Sequence, residues 1–284
     1  MINFLIDNVK ANKKNKSANL NMQPNSMLDQ NPTKATPEKV CNLFHLSPLH
    51  RFGHYFDVES GVNQMMSPIK CVEIYKLRHK VYCETLGYEP IYDNGIEKDN
   101  FDIRSHHVAI THQKLGTVIG CTRVVNCFDE TDLLPVEVLA EKQLLDAEYH
   151  PNKFGRENIC EISRLAVDQE FKQNLDEVTA HEQSLYPYIA LHLYYSSLKL
   201  AVESNRPHVY LLSESKLIRC MRMEGINIIP IGDYVAHKGL RKPCYINAQE
   251  FIDNLPKKFL PISQNKYVKS QLPATSVELS AIKA

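Results

Sequence analysis

Ile159-Cys160-Glu161-Ile162-Ser163-Arg164-Leu165-Ala166-Val167-Asp168 reads as a strand buried on both faces, with two charges, Glu161 and Arg164, set among aliphatic and β-branched residues. Burying a charge costs several kcal/mol unless it is paired or hydrogen-bonded. Two readings account for the charges. They are a structural ion pair, or they are a carboxylate and a guanidinium facing a substrate. A regular strand sends positions three apart to opposite faces, so the second reading requires a bulge between them. A bulge also releases a backbone N–H, and an N–H aimed into a cleft stabilises an oxyanion.

Upstream, His107 to His112 and Thr117 to Val125 alternate as strands around a turn, which makes a hairpin. A first strand is expected near Gly53 to Val58. Ser67-Pro68 offers an N-cap and a proline at the first helical position, and that helix should run through Leu77 and Val81 to Gly87. Arg78 and Tyr82 lie four apart on one of its faces. Tyr88 to about Ser105 is a long loop holding Glu97, Asp99 and Asp102. Loops of this length in compact domains are more often functional than idle, and the same acids also suit a plain surface charge run. The loop is expected to be mobile and to close when an acceptor binds. Pro135 to about Ala147 reads as a helix.

Downstream follow a helix from Glu182 to Asn205, a strand His208 to Leu212 and a helix Ser215 to Met223. A strand Ile226 to Ile231 and a strand pair near Tyr234 to His237 and Pro243 to Ile246 complete the pattern. The order is that of one α/β layered domain, 52–255, with a mixed central sheet flanked by helices. Residues 1–51 are expected to be mostly disordered or loosely packed, since 8 to about 40 are polar and without an apolar period, with a short docking segment at Val40 to Leu49. Residues 256–284 are expected to form a peripheral tail.

Across the 284 residues, 33 Lys and Arg balance 33 Asp and Glu, which argues against a nucleic-acid binder driven by bulk charge. No apolar run approaches the roughly 18 residues needed to span a bilayer, and the first residues do not read as a signal peptide. A cytoplasmic location is therefore expected. The eight cysteines show no C-x-x-C spacing and read as buried thiols, and the histidines show no metal-binding pattern.

Arg78-x-x-x-Tyr82, Tyr88, Asp99-x-x-Asp102, Arg123 in Gly120-Cys121-Thr122-Arg123 and Glu161-x-x-Arg164 resemble, in order and spacing, the acyl-homoserine-lactone (autoinducer) synthases of the GNAT superfamily. Leu77 to Glu84 and Glu161 to Val167 are more similar still to two bacterial relatives. These are the long-chain N-acyl amino acid synthases and the PEP-CTERM/exosortase-associated acyltransferases. The resemblance covers about residues 55 to 250.

It implies a GNAT-like (acyl-CoA N-acyltransferase) fold and transfer of a long acyl chain from an acyl carrier protein thioester to an amine, the α-amine of an amino acid being the expected acceptor. Glu161 is then the general base, Arg164 its companion, and the N–H groups near Ser163 to Leu165 polarise the thioester carbonyl. Arg78, Asp99, Asp102 and Arg123 form an ionic network shaping the acceptor pocket, with Tyr82 and Tyr88 as walls; an arginine fork suits an acceptor carboxylate. The segment after Asp168 lacks the glycine turn that holds coenzyme A in ordinary GNAT enzymes, which favours acyl carrier protein over acyl-CoA as donor. Lys172, Lys153 and Arg156 are expected to meet that acidic carrier. No tightly bound cofactor and no metal are implied, and membrane contact is expected only peripherally, through a lipid product. Autoinducer synthases usually carry Phe and Trp where this chain has Tyr82 and Tyr88, and the chain has no tryptophan. The alternatives are an autoinducer synthase using S-adenosylmethionine and a non-catalytic acyl-carrier or lipid-binding module on the same fold.

Overall fold

The computed structural model describes residues 51–62, 66–173, 178–263 and 268–271. The expected disorder before residue 51 and the docking segment at Val40 to Leu49 lie outside the described residues.

Strands β1 (Phe56–Val62), β2 (Ser105–His112), β3 (Val118–Asn126), β4 (Ile159–Val167), β5 (His208–Ser213), β6 (Ile229–Pro230), β7 (Val235–Ala236), β8 (Leu240–Asn247) and β9 (Val268–Gln271) form one mixed sheet in the order β6-β8-β5-β4-β3-β2-β1-β9, with β7 on β8. Neighbours run antiparallel except β4 with β5 and β1 with β9. Alternation along β2 sorts the layers: Val108 and Ile110 join the core under one face, and Ala109 joins the cluster on the other.

Helix α1 (Pro68–His79) covers that second face. Ser67 caps it by accepting from the Lys70 N–H at 3.2 Å, and Pro68 occupies the first turn, where no N–H is needed. A π-type turn, Lys80–Thr85, extends it to Gly87, which takes the left-handed conformation at φ 63°. Helix α2 (Pro135–Ala140) is shorter than its sequence pattern suggests and gives way to a 3₁₀ turn at Glu141–Gln143. The helix expected over Glu182 to Asn205 is divided at Pro187 into α3 (Ala180–Leu185), a 3₁₀ turn (Tyr186–Tyr188) and α4 (Ile189–Glu203), because proline has no N–H for the ladder. Helix α4 runs so close under the sheet that a Cβ on Gly120 would lie 2.8 Å from Ile189 Cγ2. Helices α5 (Ser215–Met223) and α6 (Ala248–Asp253) complete the layer. Beyond Leu255, Phe259 and Ile262 are buried in the core, where Phe259 packs edge-on against Phe251.

Two irregularities position the site. The β3–β4 register shifts between Cys121 and Arg123, and Arg164 opposite it takes a left-handed φ of 53°. Pairing of β4 with β5 covers only Ile159 to Glu161, so beyond Glu161 the two strands part.

Candidate active site

The parting of β4 and β5 opens a cavity of about 540 Å³. Glu161 to Leu165 form one wall, Leu211 and Leu212 the other, and Ala190, Tyr194 and Leu217 close the apolar end. Tyr82, Tyr88 and Arg123 line the end nearer α1, with His237, Lys238 and Arg241 of the β7–β8 hairpin beside them. Glu161 and Arg164, three apart on one strand, thus share a cleft through the bulge.

Glu161 is buried, and its Oε2 accepts from the Val136 N–H in the first turn of α2 at 2.6 Å. Burial pushes its carboxyl up to about 8. That value suits a base that takes a proton near neutral pH. Ser163 Oγ accepts from Arg123 Nε at 3.0 Å, so its hydroxyl is already engaged across the strands.

Behind the cavity wall lies a closed network of charges. Arg78, fully buried at the last turn of α1, grips Asp102 with two N–H groups at 2.6 and 3.1 Å and donates to Glu97 at 2.5 Å. Arg123 holds Asp99 bidentately at 2.5 and 3.0 Å and lies 3.0 Å from Asp102. Arg164 reaches Glu97 at 3.0 Å, Glu89 at 3.1 Å and Asp99 at 2.9 Å. Lys238 completes the set on Glu89. Burial works against the Asp102 charge, yet Arg78 and Arg123 hold its carboxyl well below the usual range. The loop from Tyr88 to Ser105 is therefore pinned by its acids. This corrects the expectation of a loose lid, and the reason is that Arg78 and Arg123, buried in a low dielectric, require those carboxylates.

Of the predicted acceptor-pocket residues, Tyr82, Tyr88 and Arg123 line the cavity, whereas Arg78 and Asp102 stand behind it without exposure. Every guanidinium of the set already carries carboxylate partners, which leaves no unengaged fork for an acceptor carboxylate. Tyr82 does more than form a wall. Its hydroxyl donates to the Leu165 carbonyl at 2.8 Å and ties α1 to β4 just past the bulge. Sequence reasoning missed Glu89 and Lys238, whose partners lie far along the chain, and noted Glu97 only as a loop acid.

The three basic residues expected to form one carrier patch are not brought together as such. Arg156 turns inward and grips Glu137 of α2 at 2.7 Å, and of these two neighbouring basic residues only Lys153 is exposed. Lys172 belongs to a 3₁₀ turn (Glu170–Gln173) at the other end of β4, and its side chain lies outside the described residues. A nine-residue strand, roughly 30 Å long at about 3.3 Å per residue, separates the two positions. Among the described residues no group of three or more His, Cys, Asp or Glu side chains is placed to hold a metal, and no helix is long and apolar enough to cross a membrane.

Comparison with known proteins agrees with this architecture. An Acetyltransferase (GNAT) domain family matches residues 77–178. An acyl-homoserine-lactone synthase of Vibrio anguillarum is 26% identical over 168 residues, 58% of this chain and 78% of that one. Another, from Aeromonas hydrophila, is 29% identical over 98 residues, 34% of this chain and 44% of its own length. Among solved structures, the CoA-dependent acyl-homoserine lactone synthase BjaI, with SAM and isopentyl-CoA, superposes with a TM-score of 0.58 at 15% identity, over 81% of this chain and all of that one (100%). The AHL synthase LasI gives 0.55 at 16% identity, over 68% and 90%. The fold is the GNAT fold. The matched domain and the curated relatives support acyl-thioester-dependent transferase activity of the GNAT type, in a chain similar to the acyl-homoserine-lactone synthases.

Proposed function

We propose that the enzyme transfers an acyl chain from a carrier-bound thioester to the α-amine of S-adenosylmethionine and releases an acyl-homoserine lactone. The observation that carries this reading is the charge arrangement at the acceptor end, where a tyrosine face stands beside carboxylates and Arg78, Arg123 and Arg164 are each already paired with them. S-adenosylmethionine differs from a plain amino acid in its sulfonium, a cation suited to aromatic faces and carboxylates. The curated relatives above are acyl-homoserine-lactone synthases, which supports a homoserine-lactone product.

In this reading Glu161 takes a proton from the α-ammonium, directly or through one water, and the free amine attacks the thioester carbonyl. The N–H groups along Ser163 to Leu165 stabilise the oxyanion. The carbon–sulfur bond then breaks, the thiol leaves with a proton, and an amide remains. The methionyl carboxylate next attacks its own γ-carbon and expels the neutral thioether, which closes the lactone. A plain amino acid acceptor has one observation in its favour, the Tyr82 and Tyr88 pair in place of the usual Phe and Trp. The resemblance to N-acyl amino acid synthases and exosortase-associated enzymes rests on sequence wording alone.

For the donor, Asp168 and Glu170 hold Lys80 at the exit of β4, at 3.0 and 2.7 Å, which sets negative charge where a coenzyme pyrophosphate would lie in an ordinary GNAT enzyme. That favours acyl carrier protein. Incubating the protein with long-chain acyl carrier protein and S-adenosylmethionine should yield acyl-homoserine lactone by mass spectrometry. Product only when S-adenosylmethionine is replaced by free amino acids would overturn the acceptor assignment.

A further inference from the structure

The scaffold around the acceptor end contains one more carboxylate than guanidinium. Glu89, Glu97, Asp99 and Asp102 supply four negative charges, and Arg78, Arg123 and Arg164 supply three positive ones. The balance is restored by Lys238, which comes from the tip of the β7–β8 hairpin and lines the cavity. Its ammonium sits on Glu89 and lies 5.8 Å from the centre of the Tyr82 ring, on which the Arg164 guanidinium also rests at 5.6 Å. A tyrosine face with a carboxylate beside it is the recognition set for an organic cation.

We propose that Lys238 is a tethered cation occupying the subsite into which the acceptor's own cationic group moves, and that it must be displaced as the acceptor binds. The inference rests on the cationic acceptor proposed above. Three further features make Lys238 displaceable. It adopts a left-handed φ of 50°, followed by Gly239 at 96°, so its turn is strained. The hairpin is short, with only Val235↔Arg241 and Ala236↔Leu240 in register. Burial, and then Arg164, depress the ammonium's affinity for its proton, so the site holds this lysine against opposition. By contrast Arg78 and Asp102, with no exposure and several partners each, are fixed parts of the scaffold.

Two arms test this and separate it from the acceptor assignment. In the first, trimethylsulfonium is titrated into uniformly ¹⁵N-labelled enzyme, with tert-butanol as the neutral isostere. Amide shifts at His237 to Gly239 and near Glu89 are expected with the cation alone, and Lys238→Met should bind it about threefold to tenfold more tightly while Lys238→Arg should not. Equal binding by Lys238→Met and wild type, or shifts elsewhere, overturns the proposal whatever the acceptor is. In the second arm, KM for S-adenosylmethionine should fall by a similar factor in Lys238→Met with kcat changed less. A raised KM with a lowered melting temperature would mark Lys238 as a structural clamp and overturn it. Tighter trimethylsulfonium binding without any turnover of S-adenosylmethionine would keep the tethered cation and refute the acceptor assignment.

Discussion

Glu161 and Arg164 are three residues apart on β4 and face the same cavity, yet they are not partners. Arg164 pairs with Glu89, Glu97 and Asp99, whereas Glu161 is held by the Val136 N–H. The left-handed backbone at Arg164 makes both facts possible, because it turns the guanidinium toward the loop after α1 and leaves the carboxylate among apolar neighbours. A direct ion pair would have kept the Glu161 carboxyl low. Isolation keeps it near 8, and the two charges serve separate ends.

Glu161→Gln should fold and lose about 100-fold in kcat, measured with a saturating acyl donor. Since the base must be ionised, wild-type kcat/KM should rise as pH climbs through about 8, and the variant should lack this limb. The linkage runs the other way for stability. With its folded value raised above the ordinary 4.5, the carboxyl's contribution is complete below about 4.5 and is lost as pH rises through about 8. Melting curves over that window should show the variant gaining on wild type. Full turnover in a folded Gln variant would remove Glu161 from the chemistry.

Asp102→Asn and Asp99→Asn should separate scaffold from site. Asp102 is fully buried between Arg78 and Arg123, so removing its charge should cost about 3–5 kcal/mol in urea unfolding. Asp99 is 28% exposed, and solvent screens part of its loss; its variant should melt closer to wild type and lose activity instead. Both carboxyls are held low, so their contributions are present above about pH 4 and disappear as pH falls. Equal destabilisation in the two variants would contradict the division.

Much of this is legible in the sequence. Gly87 ends α1 and its π-type turn, the hairpin turns where Gly116 lies, and the two charges three apart in the β4 stretch leave an ion pair and a bulge both open, between which the register shift and the left-handed Arg164 decide. The network was legible only in part. Arg78, Asp99, Asp102 and Arg123 stand in motif order, but Glu89 and Lys238 are 149 positions apart and neither sits in a pattern that local periodicity can detect. Nor does sequence tell which arginines are free: the fork expected for an acceptor carboxylate is spent on internal carboxylates. Arg156 misled for the same reason. Its charge suggested a docking surface, and folding directs it onto Glu137.

Ser163→Ala should lower kcat less than tenfold. The hydroxyl holds Arg123 Nε, and Arg123 keeps its two bonds to Asp99 when that contact is lost. The part assigned to this stretch of β4 in catalysis belongs to backbone N–H groups, which alanine preserves. A loss of 100-fold or more in steady-state assays would assign the chemistry to the side chain.

Acyl carrier protein should give a higher kcat/KM than the matching acyl-CoA, and only the carrier reaction should weaken markedly between about 50 and 500 mM salt. Two of the three basic residues expected from sequence, Arg156 and Lys153, should not be the ones behind that dependence. Arg156→Ala should act through stability, because it releases buried Glu137 at the foot of α2. Lys153, exposed but on a segment that does not line the cavity, should change donor KM little on conversion to Glu. Lys216 borders the cavity at the first turn of α5. Lys216→Glu should raise the carrier's KM several-fold and leave that for S-adenosylmethionine unchanged. If acyl-CoA proves the better donor and Lys216→Glu affects both donors alike, the carrier reading fails, and the acidic exit of β4 at Asp168 and Glu170 does not exclude a pyrophosphate.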